Sequence, residues 1–221
     1  MNSEYDKVLL IDKPDAMTSF GVVARVRRKL STAAGKKVKV GHCGTLDPFA
    51  TGLLIIVTGK ECRNAGIYSK LDKEYEATLK LGNSSTTGDP EGDLTPVSDA
   101  VPSRDAILES FKGFIGEILQ TPPIYSAIKV NGERAYKQAR AGKEIVMQPR
   151  PVTIYSLELI DYNYPNVRIR THVSSGTYIR TLGEDIGRFL STGAYLTQLR
   201  RTKIADFDIA DATPLENYMT L

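Results

Sequence analysis

Five consecutive apolar residues, Leu53-Leu54-Ile55-Ile56-Val57, stand between Gly52 and Gly59. An unbroken apolar run of this length, closed at both ends by glycine, is the pattern of a strand buried on both faces. It is the longest apolar run in the chain and far too short to cross a bilayer. A strand of that kind needs cover on two sides, and 221 residues of which 41% are hydrophobic can supply it. That length suits one large domain, or one domain with a substantial insertion. Charged residues make up 25%, an ordinary globular share that speaks against wholesale disorder. The first residues, Met1 to Lys7, carry no long apolar stretch behind a basic region, so neither a secretory leader nor a membrane anchor is expected. Cys43 and Cys62 are the only cysteines, too few for a disulfide framework and consistent with a reducing, cytoplasmic setting.

Other elements follow from periodicity. Lys7 to Ile11 reads as a short buried strand. Thr18-Ser19 then offers an N-cap for a helix with Phe20, Val22, Val23, Val26 and Leu30 at helical spacing, broken at Ala33 to Lys37. From Lys73 to Leu81 the chain alternates, with Tyr75, Ala77, Leu79 and Leu81 on one face of a half-buried strand. Residues 83 to 102, rich in Gly, Ser, Thr, Asp and Pro, read as a long loop, and Ser103 caps a helix running to about Phe111. Strands are expected at Val152 to Ile160 and Val167 to Val173, a helix from about Tyr178 to Leu190, and one or two strands over Tyr195 to Ile209. Helices and strands mix without regular alternation, so the expected class is α+β.

Gln120 to Pro151 differs from the rest. It holds Pro122-Pro123, a turn signal at Asn131-Gly132 and a short helical patch at Ala135 to Ala141. Lys129, Arg134, Lys137, Arg140 and Lys143 are interleaved there with Tyr125 and Tyr136, which suits a binding excursion better than core. The net charge of +3 is also unevenly placed. Residues 1–70 carry 12 basic against 6 acidic side chains, residues 71–120 carry 4 against 10, and residues 121–221 carry 13 against 10. Basic ends split by an acidic middle suit a polyanionic partner, although a solvated mixed surface reads the same way.

Common catalytic signatures fail. Thr58-Gly59-Lys60 lacks the earlier glycine and the following hydroxyl of a phosphate loop, and no dinucleotide fingerprint is present. His42, Cys43, Cys62 and His172 lack metal-ligand spacing, so neither a metal nor a cofactor is expected.

What remains is Lys39-Val40-Gly41-His42-Cys43-Gly44-Thr45-Leu46-Asp47-Pro48-Phe49-Ala50-Thr51-Gly52-Leu53-Leu54. Alone, Asp47 before Pro48 also suits a simple turn. The whole string, however, resembles the catalytic motif of TruB-type tRNA pseudouridine synthases. Further blocks similar to that family follow in order. They begin with Lys13-Pro14 and Thr18-Ser19, then Lys73-Glu74-Tyr75-Glu76-Ala77, then Pro122-Pro123-Ile124-Tyr125-Ser126-Ala127 with Lys129. Arg150-Pro151-Val152-Thr153-Ile154, Gly176-Thr177-Tyr178-Ile179-Arg180-Thr181-Leu182 and Leu199-Arg200-Arg201-Thr202 complete the series. Two positions depart from the family pattern: Ala16 and Ala205 stand where glycine is usual, which implies strain if those turns need φ > 0. The chain also stops at Leu221, where relatives usually continue into a small C-terminal RNA-binding (PUA-like) domain, so one catalytic domain over 1–221 is expected, with the 120–150 excursion as a thumb-like RNA-binding insertion.

The resemblance implies a pseudouridine synthase fold, a central mixed, mostly antiparallel sheet flanked by helices. It also implies an isomerase that flips the T-loop uridine of tRNA out of its stack, breaks the C1′–N1 bond and rejoins C1′ to C5. By that resemblance Asp47 is the catalytic carboxylate, as nucleophile or as base, and must be ionised. Arg180 resembles the arginine that pairs with it, since an adjacent guanidinium lowers a carboxylate pKa by about 1–3 units. Tyr75 matches the catalytic tyrosine that stacks on the base and helps to remove the C5 proton; read from pattern alone it is an ordinary strand core residue. Tyr178 and Leu199 match further substrate-contacting positions, and His42 a residue that takes the place of the flipped base or contacts the neighbouring backbone. Phosphate contacts are expected from Lys13, from the Arg25 to Lys29 cluster with Arg25 and Arg28 foremost, and from Lys129, Arg134, Lys137 and Arg140. Such an enzyme is expected to be monomeric, with tRNA as partner and no obligate protein partner. Two rivals share these residues: a guide-dependent relative acting on ribosomal RNA, and a tRNA-folding chaperone without chemistry.

Overall fold

A computed structural model of the chain describes residues 4–130 and 132–220. Asn131, half of the expected turn with Gly132, and the side chain of Arg140 lie outside the described residues.

The chain runs from β1 (Val8–Lys13) into α1 (Ser19–Ala34), then β2 (Val40–Cys43), β3 (Thr51–Thr58), a 3-10 turn (Gly59–Asn64), α2 (Ala65–Ser69) and β4 (Lys73–Leu81). Next come β5 (Asn83–Ser85), β6 (Leu94–Pro96), α3 (Arg104–Lys112), β7 (Gly116–Gln120), β8 (Lys129–Val130), β9 (Glu133–Arg134) and α4 (Ala135–Arg140). The long hairpin β10 (Arg150–Asn163) and β11 (Asn166–Val173) leads to α5 (Ile179–Phe189) and β12 (Ala194–Ile204). Short β13 (Phe207–Asp208), β14 (Thr213–Pro214) and α6 (Leu215–Thr220) end it. The class is α+β, as expected. No helix among the described residues is long and apolar enough to cross a membrane.

Two compact units emerge. One takes the residues up to Tyr75 and those from Arg200 on; the other is Glu76–Leu199. Both chain crossings fall inside strands, β4 and β12.

In the first unit the strand order is β14-β1-β3-β12, with β2 also paired to β3. β1 and β2 run antiparallel to β3, whereas β12 joins β3 in parallel at Arg200↔Thr51 and Arg201↔Gly52. The apolar run of β3 is continuous because both its faces are covered. Leu54 and Ile56 pack with Ile11, Val22, Val23, Val26 and Leu215, while Leu53, Ile55 and Val57 pack with Cys43 and Ile204. All five run residues are fully buried, and each such side chain contributes about 1.5–3 kcal/mol. Helix α1 starts where expected, because Thr18 Oγ1 accepts the Gly21 N–H at 2.9 Å. Its buried stripe is Ser19, Val22, Val23 and Val26. Phe20 does not join it. One residue out of register with that stripe, it is 63% exposed, with Arg27 over its ring at 5.8 Å.

In the second unit the order is β12-β4-β11-β10-β7. β4 alternates as read, Lys73, Tyr75, Ala77, Leu79 and Leu81 being buried. Ser103 caps α3 through the Ala106 N–H at 3.1 Å. Three features differ from the sequence reading. The expected loop over 83–102 contains the β5–β6 hairpin, paired from Asn83↔Pro96 to Ser85↔Leu94. Here too β7 pairs with β10, and in the first unit residues 59–69 are helical. Strands as short and polar as β5 and β6 have no alternation to read; they are held by backbone pairing and by hydroxyl bonds such as Ser84 to the Thr95 carbonyl.

Candidate active site

Asp47 lies on the loop that joins β2 to β3, in the first unit. It occupies the first position of a turn with Pro48 second, closed by the Ala50 N–H donating to the Asp47 carbonyl at 3.1 Å. The turn reading of Asp47-Pro48 is therefore correct as local structure, and it says nothing against chemistry at the carboxylate. Several buried groups pin the loop. The Ser19 hydroxyl accepts the Leu46 N–H at 2.8 Å and donates to the Leu46 carbonyl at 3.0 Å. The Pro48 carbonyl accepts the Met17 N–H at 3.3 Å and the Lys13 ammonium at 3.1 Å.

Lys13 corrects an expectation. Rather than reaching for phosphate, it is fully buried, and Nζ also donates to the carbonyls of Pro14 (2.8 Å) and Met17 (2.5 Å). Burial brings its pKa down to about 8, the carboxylates of Asp15 and Asp47 opposing and Arg201 reinforcing the fall. Lys73 is placed alike. Its Nζ donates to the Ser69 and Leu71 carbonyls, and burial, reinforced by Arg201, lowers its pKa to about 8. His42 is half-buried on β2 opposite Ile56, and Tyr75 is a buried residue of β4.

The positions where glycine was expected are left-handed: Ala16 has φ 54° and Ala205 φ 47°. Both alanines carry the strain anticipated for them.

In the second unit Arg180 stands in the first turn of α5 and is buried. Its guanidinium donates to the carbonyls of Thr87 and Tyr125, each at 2.8 Å, and lies 3.3 Å from the carboxylate of Asp89. Asp89 in turn accepts the Thr87 hydroxyl at 2.5 Å and the Glu91 N–H at 3.0 Å. Gly88 makes that approach feasible. At φ 72°, a Cβ there would sit 2.9 Å from a Glu184 carboxylate oxygen and 3.3 Å from Arg180 Cβ. Burial raises the Glu184 pKa, against the pull of Arg180. Beside Arg180 opens a cavity of about 470 Å³ lined by Thr87, Pro122, Ile124, Tyr125, Val146 and Glu184.

Tyr178 precedes α5, and its peptide is gripped by one side chain. Gln120, itself buried, accepts the Tyr178 N–H at 2.7 Å and donates to its carbonyl at 3.1 Å. Leu199, on β12, is buried. Sequence reading missed both Asp89 and Gln120. Asp89 was hidden by a loop-like composition; for Gln120, an amide two residues before Pro122-Pro123, no local signal exists.

Among the residues expected to touch phosphate, Arg25 and Arg28 are exposed on α1, and Lys129, Arg134 and Lys137 are exposed around β8, β9 and α4. Lys29 is occupied elsewhere, donating to the Tyr218 carbonyl at 2.6 Å. Among the described residues no three His, Cys, Asp or Glu side chains cluster as a metal ion requires.

Residues 27–179 match the N-terminal domain of TruB family pseudouridylate synthases, and residues 180–220 match the C-terminal domain of tRNA pseudouridylate synthase B. Curated relatives named tRNA pseudouridine synthase B are similar over nearly the whole chain. The one from Azoarcus sp. is 47% identical over 211 residues, 96% of this chain and 69% of the relative. That from Phocaeicola vulgatus is 42% identical over 221 residues, covering 99% and 94%. Among solved structures, a chain of a Cbf5–Nop10–Gar1 complex superposes with a TM-score of 0.75 at 31% identity, over 98% of this chain and 54% of that one. A chain from an H/ACA RNP bound to a substrate RNA containing 2′-deoxyuridine gives 0.71 at 28% identity, over 96% and 52%. The present chain thus spans about half the length of those solved chains.

Proposed function

The chain belongs to the TruB family of pseudouridylate synthases, and on that premise we propose that it isomerises a uridine of tRNA to pseudouridine, the T-loop uridine being its target. The observation that carries the proposal is Asp47: an aspartate within an almost unbroken family motif, on a turn anchored by Ser19, Met17 and buried Lys13. A loop held at so many points keeps its carboxylate in one place, as positional catalysis requires.

In the reaction the C1′–N1 bond breaks, C1′ bonds to C5, the C5 proton leaves and N1 regains one. Electrons balance without an oxidant. Asp47, ionised, opens the sequence by attacking C1′ or by taking a ribose proton. Extruding the base costs a few kcal/mol, and stacking on an aromatic ring returns about 1–3 kcal/mol. Tyr75, Arg180, Tyr178, Leu199 and His42 are proposed in the roles that their motifs imply. Exposed Arg25, Arg28, Lys129, Arg134 and Lys137 are proposed to hold phosphates, with the 120–150 segment as the clamp on the T arm. The two curated relatives described above, named for tRNA, are 42% and 47% identical, against 28–31% for the two solved chains compared, which supports tRNA over a guide-dependent RNA substrate. The enzyme is proposed to act in the cytoplasm as a monomer.

The test is incubation with an unmodified tRNA transcript, scoring pseudouridine by chemical sequencing, beside the Asp47→Asn variant. The expected result is one modified T-loop uridine with the parent and none with the variant. Activity in the variant, or tRNA binding without product in the parent, would overturn the assignment; the second outcome would point to a binding protein.

A further inference from the structure

We infer that Arg201 is a positioning residue for Asp47, a buried guanidinium that ties together the two feet of the Asp47 loop and so sets where the carboxylate stands. The inference rests on the role proposed above for Asp47.

Arg201 is 1% exposed. Its Nε donates to the Leu53 carbonyl at 2.7 Å and its Nη2 to the Gly44 carbonyl at 3.1 Å. Gly44 follows β2 at one end of the loop, and Leu53 belongs to β3 at the other. One planar side chain therefore spans the gap whose far side is Asp47. The backbone permits this through Gly52, the strand partner of Arg201. At φ 106°, a Cβ on Gly52 would lie 2.3 Å from the Arg201 carbonyl oxygen, so only glycine lets β12 come close enough.

Stability alone does not account for this side chain. A buried guanidinium is costly to desolvate, and an apolar side chain of similar volume would fill the space at lower cost. What an apolar chain cannot do is hold two carbonyls at a set separation, and the rigid fork of donors in arginine does that better than a lysine. Lys13 and Lys73 add to the arrangement. Lys13 holds Pro48, beside Asp47, and the Lys73 Cε lies 3.7 Å from where a Gly44 Cβ would be. Three buried cations thus sit under one short loop, with the hydrogen bonds described for them going to backbone carbonyls.

The experiment compares Arg201→Met, which keeps the stem and removes the donors, with Arg201→Lys, which keeps the charge and one donor centre. Thermal unfolding establishes the folded fraction at the assay temperature; tRNA affinity and the single-turnover rate of pseudouridine formation are then measured against protein concentration. Arg201→Met is expected to bind tRNA within about twofold of the parent and to lose at least tenfold in saturating rate, with Arg201→Lys recovering part of the loss. A folded Arg201→Met with the parent's saturating rate, or with its loss entirely in affinity, would overturn the inference. Should the Met variant not fold, the Lys variant decides: a threefold or greater loss at saturation supports the inference, and a parental rate overturns it. A parent that forms no pseudouridine would overturn the reading of Asp47 and this inference together, whereas a fast Arg201→Met overturns the inference alone.

Discussion

The guanidinium of Arg180 lies 3.3 Å from the carboxylate of Asp89, with the two side chains 4% and 6% exposed. Neither charge can turn to water: Arg180 also donates to the backbone carbonyls of Thr87 and Tyr125, and Asp89 also accepts from the Thr87 hydroxyl and the Glu91 N–H. The pair ties the loop after β5 to the first turn of α5. Asp89→Asn keeps the shape and removes the charge, and the loss of a charged hydrogen bond costs about 1.5–3 kcal/mol. The melting temperature is expected to fall by roughly 4–10 °C, read by calorimetry. An unchanged melting temperature would show that the Asp89 charge is not needed to hold Arg180.

Ala16 and Ala205 sit in the left-handed region, where an L side chain costs about 1–2 kcal/mol. Glycine relieves that cost and returns about 0.4–1 kcal/mol to the unfolded chain as freedom. Ala16→Gly and Ala205→Gly are each expected to stabilise by about 0.5–1 kcal/mol, seen in urea unfolding as a higher midpoint with the same slope. A lower midpoint would mean that these turns are unstrained.

Glu76 on β4 accepts hydrogen bonds from Arg168 at 2.7 Å and Arg170 at 2.9 Å. Those bonds, Arg170 first, hold its carboxyl below the usual glutamate range. A folded pKa below the unfolded one gives stability that is complete above the unfolded value, about 4.3, and lost as pH falls through the folded value. Wild type is therefore expected to be more stable than Glu76→Gln at pH 7, the gap closing in acid below about pH 4. It should also narrow in high salt, because both arginines are about half exposed. A gap independent of pH would assign the difference to packing.

Replacing Lys129, Arg134 and Lys137 together by Gln removes three exposed charges from the 120–150 segment. The tRNA affinity is expected to drop, and the slope of log affinity against log salt to flatten by about 2. Circular dichroism and melting temperature should be unchanged. Equal affinity and slope in parent and variant would remove this segment from the RNA interface.

Features legible in the sequence are those whose partners are near neighbours along the chain. The unbroken run of β3, the alternation of β4, and the Thr18 and Ser103 caps follow from strand and helix periods and from hydrogen bonds three residues long. Asp47-Pro48 was readable as a turn by the same logic, and its motif is what proposes it as a catalytic position. Arg201 left a faint trace: on a strand it shares a face with buried Leu199, the place of an apolar side chain.

The rest was decided by tertiary structure. Asp89 meets Arg180 across 91 positions, Gln120 meets Tyr178 across 58, and Arg201 meets Gly44 across 157. Lys13 reads as a surface cation until the fold closes three carbonyls around it. By itself the amino-acid order determined most of the elements, the family motif and, through that motif, the residue proposed to bear the chemistry. Which charges are buried, and which loop each one holds, depended on chain segments far apart in sequence being packed side by side, because the cost of a buried charge is set by the partners that enclose it.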